Sequence, residues 1–204
     1  ACYGQADGIV LPNPLSFREL LAPWETALRL DAVDIGGVIH IKSRSAAIIT
    51  VYLVPEYLVE VGQSEPYEIT REALEEAPRS ALVYYIDAEK DYERVPARAS
   101  IRDRSGEAEA VADLVLVSDQ DRMTGVAEVM LRDAVEARES VEFTLPPSTD
   151  LRPGHVFGFT PENGRPLTFM AEEMTRGTAR RVRAKQYATA IYTAAGGPSR
   201  PSPA

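Results

Sequence analysis

Neighbouring carboxylates are the side chains whose spacing comes closest to that of a catalytic acid and base. A glycoside hydrolase needs two carboxyl groups that face one bound sugar, one of them with a raised pKa. Consecutive residues of a strand point to opposite faces, so Glu172 and Glu173 are predicted not to meet at one substrate. We interpret all three pairs in the sequence as solvated surface: Glu75/Glu76, Asp119/Asp121 and Glu172/Glu173.

A catalytic nucleophile or a metal site has weaker support. Ser148 precedes His155 in one loop region, but no G-x-S-x-G motif is present and the surrounding prolines explain the loop as a strand connection. His40 lies among β-branched residues without metal-ligating neighbours at a suitable spacing. The single cysteine, Cys2, excludes an internal disulfide, and Trp24 is predicted to lie in the core, with ligand stacking as the less favoured alternative. The sequence therefore predicts no catalytic, cofactor-binding or metal-binding residue.

The composition is that of a globular protein: 204 residues, 45% hydrophobic and 26% charged, with a net charge of −9. An acidic chain repels phosphate backbones, so neither general nor sequence-specific nucleic-acid binding is expected, and a local basic stripe is the one alternative left open. The basic run at residues 176–185 is interpreted as the solvated face of a hairpin. No apolar run approaches the ~20 residues that a membrane span requires. Because the sequence begins at Ala1 without a start methionine, we expect it to be a piece of a longer polypeptide.

Residues 118–159 carry the clearest signals for the elements that position these side chains. Apolar residues between positions 123 and 134 recur at helical spacing, so one face of a helix is predicted to be buried, with Ser118 as its N-cap. At residues 140–145 apolar and polar side chains alternate, which predicts a strand with one buried face. A Pro-Gly turn then leads into a second predicted strand at residues 155–159.

Two signals stand out towards the N-terminus. Ser16 and Glu19 form a capping box before a helical pattern, within which Pro23 predicts either two short helices or a kink. Further along, Gly36-Gly37 separates two β-branched segments and predicts a tight hairpin over residues 30–41.

The remaining segments are predicted to be mainly extended. Residues 46–61 are the most apolar run, and their length leaves a strand or a short helix open. Residues 67–70 and 81–87 are predicted to form a hairpin-like pair of strands. Other extended segments are predicted around an exposed polar turn at residues 104–106 and after Asn163-Gly164, the strongest short hairpin signal of the chain; these segments are residues 96–101, 110–117, 167–171 and 179–192.

Five segments, taken in order, carry a resemblance to a known family: DGIVLP (7–12), FRELL (17–21), VYYID with DY (83–87 and 91–92), residues 134–145 and LRPG (151–154). Their succession resembles the putative phage tail protein domain. That domain occurs in hub (baseplate) proteins of gene transfer agents and related siphophage tails, next to a TIM-barrel-like glycoside-hydrolase domain. The resemblance spans residues 3–193. His155 departs from the family pattern, which has a small acidic residue after the Pro-Gly turn.

The resemblance implies an α+β fold, with small α/β insert domains plus a β-barrel-like domain that has one main amphipathic helix. It implies an α/β hub insert domain at residues 1–113 and a helix plus antiparallel barrel-like hub domain at 114–193. The Gly, Pro, Ser and Ala composition at the end of the chain predicts a flexible tail at 194–204. The resemblance also implies a homotrimer around the channel of a virion tail tip, assembled in the host cytoplasm. Its partners would be other tail proteins, such as distal tail, fibre or tape-measure proteins. No catalytic residue or cofactor is carried over, because the hydrolase-like module lies outside this segment.

Two functions of different classes follow from these observations. The first is a structural module whose edge strands and apolar faces contact neighbouring subunits, and whose acidic surface keeps a DNA-conducting lumen from binding its cargo. The alternative is a carbohydrate-binding or cell-wall glycan-processing module of a tail protein. That alternative requires a concave site with exposed aromatic side chains and converging carboxylates.

Overall fold

The computed structural model describes residues 6–11, 13–44, 47–60, 65–101, 108–162, 164–175, 177, 179–188 and 190–191. Cys2, Asn163, the predicted polar turn at residues 104–106 and the expected tail at residues 194–204 lie outside them. The described residues form the following helices and strands: β1 (Gly8–Ile9), α1 (Phe17–Leu28), β2 (Leu30–Ile35), β3 (Val38–Ser43), β4 (Ile49–Leu53), β5 (Tyr67–Arg71), β6 (Ser80–Asp87), β7 (Glu93–Ser100), β8 (Glu109–Ser118), α2 (Gln120–Glu136), β9 (Glu139–Leu145), β10 (Val156–Phe159), β11 (Leu167–Met174) and β12 (Arg180–Gln186).

Both helices pack on one face of a four-stranded sheet with the strand order β1-β8-β6-β7. The central pair, β6 and β8, is parallel, and the two outer pairs are antiparallel. Side chains alternate along β6, and Val83 and Tyr85 are fully buried. They share a core with Met123 and Ala127 of α2. The buried stripe of a helix thus meets the buried face of a sheet, the arrangement that removes most apolar surface from water.

A six-stranded sheet with the order β4-β10-β11-β12-β9-β5 forms the second layer. Tyr67 of β5 packs edge-to-face on Phe159 of β10, with the ring centroids 5.0 Å apart. Three strands lie between β5 and β10, so a flat sheet would separate the two rings by about 19 Å. The sheet therefore curls around its own core, in which Phe143, Phe157 and Phe169 are also buried.

A third cluster of buried residues joins α2 to the second sheet. Val129 projects from α2 into a group that contains Val156, Met170, Tyr187 and Ile191. The chain also passes directly from β8 through α2 into β9, that is, from the first sheet to the second. The amphipathic helix predicted from the sequence is thus the element between the two sheets.

Helix α1 begins as predicted and continues further than predicted. Ser16 accepts a hydrogen bond from the backbone of Glu19, whose carboxylate binds back to Ser16, so the capping box is confirmed. The helix runs through Pro23 to a left-handed C-cap at Arg29. The prediction of two separate helices is therefore wrong. Pro23 cannot donate to the carbonyl of Glu19, but Glu19 is exposed, so water can replace the missing donor.

Helix α2 starts one residue later than predicted. Its N-cap is Asp119, which accepts a hydrogen bond of 2.8 Å from the backbone of Arg122, whereas Ser118 is buried at the end of β8. The prediction that one face of α2 is buried is confirmed for the residues at the centre of that face. Met130, which belongs to that face by spacing, is only half-buried at the edge of the first core.

Most local strand predictions are confirmed, but the extended segment predicted at residues 179–192 is a strand only over Arg180–Gln186, and residues 190–191 are helical. One predicted pairing is wrong. β5 and β6, expected to form a hairpin-like pair, belong to different sheets, because β5 pairs with β9. The apolar run at residues 46–61 contains the strand β4 followed by a 3-10 turn at Pro55–Tyr57. The strands on either side of the Asn-Gly signal, β10 and β11, are antiparallel partners, while Asn163 itself lies outside the described residues.

The fold class is α+β, as predicted, with more of the described residues in strands than in helices. The six-stranded sheet is not a closed barrel in the described part of the chain, because its outer strands, β4 and β5, do not pair with each other there. The domain boundary expected between residues 113 and 114 falls inside β8.

Candidate functional site

The three carboxylate pairs lie on different elements. The pair at residues 75–76 is exposed in a 3-10 turn, and Asp119 caps α2 and binds the side chain of Arg122 at 3.0 Å. Glu172 and Glu173 are both exposed on β11, where a bulge interrupts the twofold alternation. The prediction that the two side chains point to opposite faces assumes a regular strand, and the bulge removes that regularity at this position.

The side chains considered for nucleophilic or metal chemistry are also dispersed. Ser148 is exposed, and no hydrogen bond between described residues joins it to His155. His40 is exposed on β3, and Trp24 packs against the first core. Within the described ranges, no group of three or more His, Cys, Asp or Glu side chains is placed to hold a metal ion. Neither described helix has the length and apolar composition needed to cross a membrane.

One pair of carboxylates that sequence spacing does not reveal lies along β5 and β9. Glu68 and Glu142 are directly opposite each other in the register of the two strands, and both line a cleft of about 600 Å³ together with Tyr67 and Arg181. Arg181 binds Glu142 at 2.7 Å. The two glutamates are far apart in sequence, so only the pairing of the strands brings them together.

The described part of the basic run forms β12, as a solvated strand face. Arg181 and Arg183 are exposed and both contact Glu142, at 2.7 and 3.7 Å. Lys185 contacts Asp133 of α2 at 3.6 Å. Because acidic groups of the same chain neutralise these cations, the strand does not present a basic stripe to nucleic acid.

The face of the first sheet that lies opposite the helices is covered by long charged side chains. Arg94 of β7 lies 3.9 Å from the ring centre of Tyr84 on β6 and reaches Asp113 on β8 at 2.8 Å. Arg98 reaches Glu109 in the same direction at 3.2 Å. Guanidinium groups thus lie across the central strand and shield its half-buried side chains from water.

Strands β2 and β3 with their Gly36-Gly37 turn stand apart from both larger sheets, and we call them the hairpin arm (residues 30–43). They pair with each other along their whole length. On β3, Val38, Ile39 and Ile41 are 58%, 48% and 55% exposed. A two-stranded hairpin is marginally stable in water, so an arm with this much exposed apolar surface needs a contact to cover it.

The base of the arm is held firmly. Arg44, directly after β3, donates three side-chain hydrogen bonds of 2.7 to 3.0 Å to the carboxylate of Asp31. The hydroxyl of Tyr187 donates to the carbonyl of Arg44, and the backbone of Ala32 donates to Glu25 of α1 at 3.0 Å. The arm therefore projects from a fixed base. The hairpin was predicted from its Gly-Gly turn, whereas the exposure of its apolar side chains was not predicted.

A cleft of about 320 Å³ lies between the base of the arm and β4, and we call it the basic groove. Lys42, Ile48, Thr50 and His155 line it. The Nδ1 atom of His155 is buried without a hydrogen-bond partner. Burial lowers the pKa of the His155 imidazole below its ordinary value, and the charge of Lys42 lowers that pKa further.

Comparison of the sequence with known protein families gives a matching family. The family described as "Putative phage tail protein" matches residues 16–190, which is most of the chain. No curated protein gives a significant match.

Solved structures show the same fold at low sequence identity. A chain from the virion of a native gene transfer agent (GTA) particle matches with a TM-score of 0.77 and 22% identity, over 91% of this chain and 41% of that chain. The tail protein from Neisseria meningitidis MC58 matches with a TM-score of 0.60 and 10% identity, over 94% and 63%. The 43 kDa tail protein of prophage MuSo2 from Shewanella oneidensis matches with 0.58 and 10%, over 90% and 58%. The present chain thus spans less than two thirds of each of these proteins.

Proposed function

Because this chain belongs to the family of putative phage tail proteins, as its sequence resemblance predicted, we propose that it is a structural segment of a tail-tip (baseplate) hub that forms subunit contacts around the tail channel. Membership makes it a structural protein of phage-like tails. The position at the tip, the hub role and the trimeric state are the further steps of this proposal.

The exposed apolar surface of the hairpin arm is the observation that carries the proposal. Val38, Ile39 and Ile41 are each about half exposed, and they lie close together on an arm that belongs to neither larger sheet. Burying the exposed half of one such side chain at an interface contributes roughly 0.8–1.5 kcal/mol. In a protein that functions in an assembly, this surface can form contacts between subunits, whereas in a monomeric protein it would lower the solubility.

In the proposed assembly, three copies surround the channel and contact other tail proteins, such as the distal tail, fibre or tape-measure proteins. The net charge of −9 supports an acidic lumen that does not retain passing DNA. A solved assembly with a basic lumen would contradict that part of the proposal.

The domain division is likewise proposed: residues 1–113 as an α/β hub insert domain, 114–193 as the helix and barrel-like hub domain, and 194–204 as a flexible tail. The curl of the six-stranded sheet, seen in the contact between Tyr67 and Phe159, supports the barrel-like description. Since β8 crosses the boundary, the two parts would share the first sheet.

Immunogold electron microscopy of purified particles tests the proposed position. An antibody against the chain should label the end of the tail distal to the capsid, and quantitative mass spectrometry should give three copies per particle. Labelling along the tail shaft, on the capsid, or absence from purified particles would contradict the hub role.

The cleft beside Glu68 and Glu142 favours one rival function, the carbohydrate-binding or glycan-processing module. A glycan array and a hydrolysis assay on cell-wall polysaccharide separate the two. We expect neither binding nor turnover. Saturable binding that is lost in Glu68→Gln and retained in the exposed control Glu76→Gln would favour the rival.

A further inference from the structure

In the described residues, the two larger sheets have four edge strands, β1, β7, β4 and β5. Only β4 lacks features that prevent a further strand from pairing with it. β1 is only two residues long. β7 carries Pro96 flanked by arginines, and β5 carries Glu68 and Arg71. Short strands, prolines and charges are the features that discourage a further strand from pairing. β4 (ITVYL) has none of them, and Tyr52 is 71% exposed.

The hairpin arm offers a matching strand. β3 has no described strand partner besides β2, so its outer edge is also free. Its exposed residues are Val38, Ile39, His40 and Ile41, which carry no carboxylate or ammonium group. Two free edges of similar length and apolar character, one on the arm and one on the six-stranded sheet, are complementary in backbone hydrogen bonding.

The distribution of charge favours a second copy of this chain as the partner that binds to the edge of β4. Among the described residues beside β4, the uncompensated positive charge of the basic groove is that of Lys42, because Arg44 and Asp31 form an ion pair and the pKa of His155 is lowered. The tip of the arm carries an exposed carboxylate, Asp34, whose side chain also accepts the backbone of the turn. In a chain of net charge −9, an acidic arm tip and a basic groove are surfaces on which two copies attract rather than repel.

We propose that β3 of one copy adds to the free edge of β4 of a second copy, with the arm lying along the basic groove. This inference deepens the proposed function, on which it rests, by naming the contact between subunits. The arm and the edge are different surfaces, so the contact is heterologous and each copy has one donor and one acceptor. Repetition of such a contact closes a ring when the rotation permits.

The donor and acceptor can be disabled separately. Ile41→Glu places a carboxylate on the arm and leaves β4 intact, whereas Tyr52→Glu places one on β4 and leaves the arm intact. Ile39→Glu on the arm and Ile48→Glu, one residue before β4, serve as second variants, because the two side chains are 48% and 77% exposed. Val111→Glu is the matched control, since Val111 is 60% exposed on the first sheet.

Sedimentation velocity on the 204-residue chain measures the result, with circular dichroism confirming that each variant is folded. The unsubstituted chain and the Val111 control should self-associate, and each arm or edge variant alone should bind its own kind at least about tenfold more weakly. An equal mixture of an arm variant and an edge variant should form dimers and nothing larger, because one intact donor meets one intact acceptor.

Three outcomes would overturn the inference: an unsubstituted chain that stays monomeric at every concentration, arm variants that assemble normally, or a mixture that contains monomers only. None of them bears on the location of the protein in the tail, which immunogold labelling decides separately. Failure of this contact is therefore distinguishable from failure of the proposed function.

Discussion

The contact between Tyr67 and Phe159 allows a quantitative test of the curled sheet. We expect Phe159→Leu to lower the free energy of unfolding by about 1–3 kcal/mol, because Phe159 is fully buried in the aromatic core. Tyr67→Leu should cost less, since Tyr67 is half-buried on an edge strand. An edge-to-face pair at 5.0 Å contributes about 0.5–1.5 kcal/mol beyond the buried area.

A double-mutant cycle isolates that contribution. Urea unfolding, followed by circular dichroism, gives the free energies of the unsubstituted chain, both single variants and the double variant. The double variant should be less destabilised than the sum of the single variants by about 0.5–1.5 kcal/mol, because the pair contact can be lost only once.

The control cycle pairs Phe159→Leu with Tyr92→Leu. Tyr92 is 65% exposed and follows β6 of the other sheet, so no coupling is expected. Additivity of the Tyr67 and Phe159 variants to within about 0.3–0.5 kcal/mol would refute the reasoning. The rings would then not touch, and β5 would not curl back over β10.

Three further predictions concern the helix, the basic groove and a turn. Met130→Asp should lower the melting temperature clearly, since a carboxylate at the edge of the first core has no evident partner, whereas Arg132→Asp on the exposed side of α2 should have little effect. His155→Gln should reduce the loss of stability on acidification relative to the unsubstituted chain. Gly164→Val should lower the melting temperature, because an added Cβ would lie 2.7 Å from the ring of the proline three residues earlier.

The direction of the pH effect follows from the lowered pKa of His155. The unfolded chain takes up a proton at about pH 6.5, before the folded chain does, so the histidine favours unfolding as the pH falls from there through the folded pKa. Urea unfolding at a series of pH values measures it. Parallel curves of stability against pH for the unsubstituted chain and His155→Gln would contradict the predicted pH effect. An unchanged melting temperature of Met130→Asp or of Gly164→Val would contradict the prediction made for that variant.

Much of the local structure could be predicted because its causes are local. Ser16 and Glu19 start α1 through bonds between residues three apart, and the alternation in β9 places Val141, Phe143 and Leu145 on its buried face. Errors occurred where a neighbouring element decided the outcome. Ser118 has the chemistry of an N-cap, but β8 extends through it and leaves that role to the next residue.

The functional surfaces were harder to predict than the elements. Glu68 and Glu142 face each other only because β5 adds to β9, and the bulge in β11 that alters the Glu172 and Glu173 argument comes from the register with β12. The exposure of Val38 could not be inferred from its hydrophobicity, which is the same in a buried strand and on an open arm.

The sequence by itself determined the family, the helices, most strands and the turns, since these depend on side-chain periodicity, capping groups and glycine. Only the tertiary structure decided which strands share a sheet, that the larger sheet curls, and which edges remain free. Strand pairing joins residues that are distant along the chain, and its free energy depends on the whole set of partners available. For a protein that acts through its surfaces, those partner choices decide which surfaces are left to bind a neighbour.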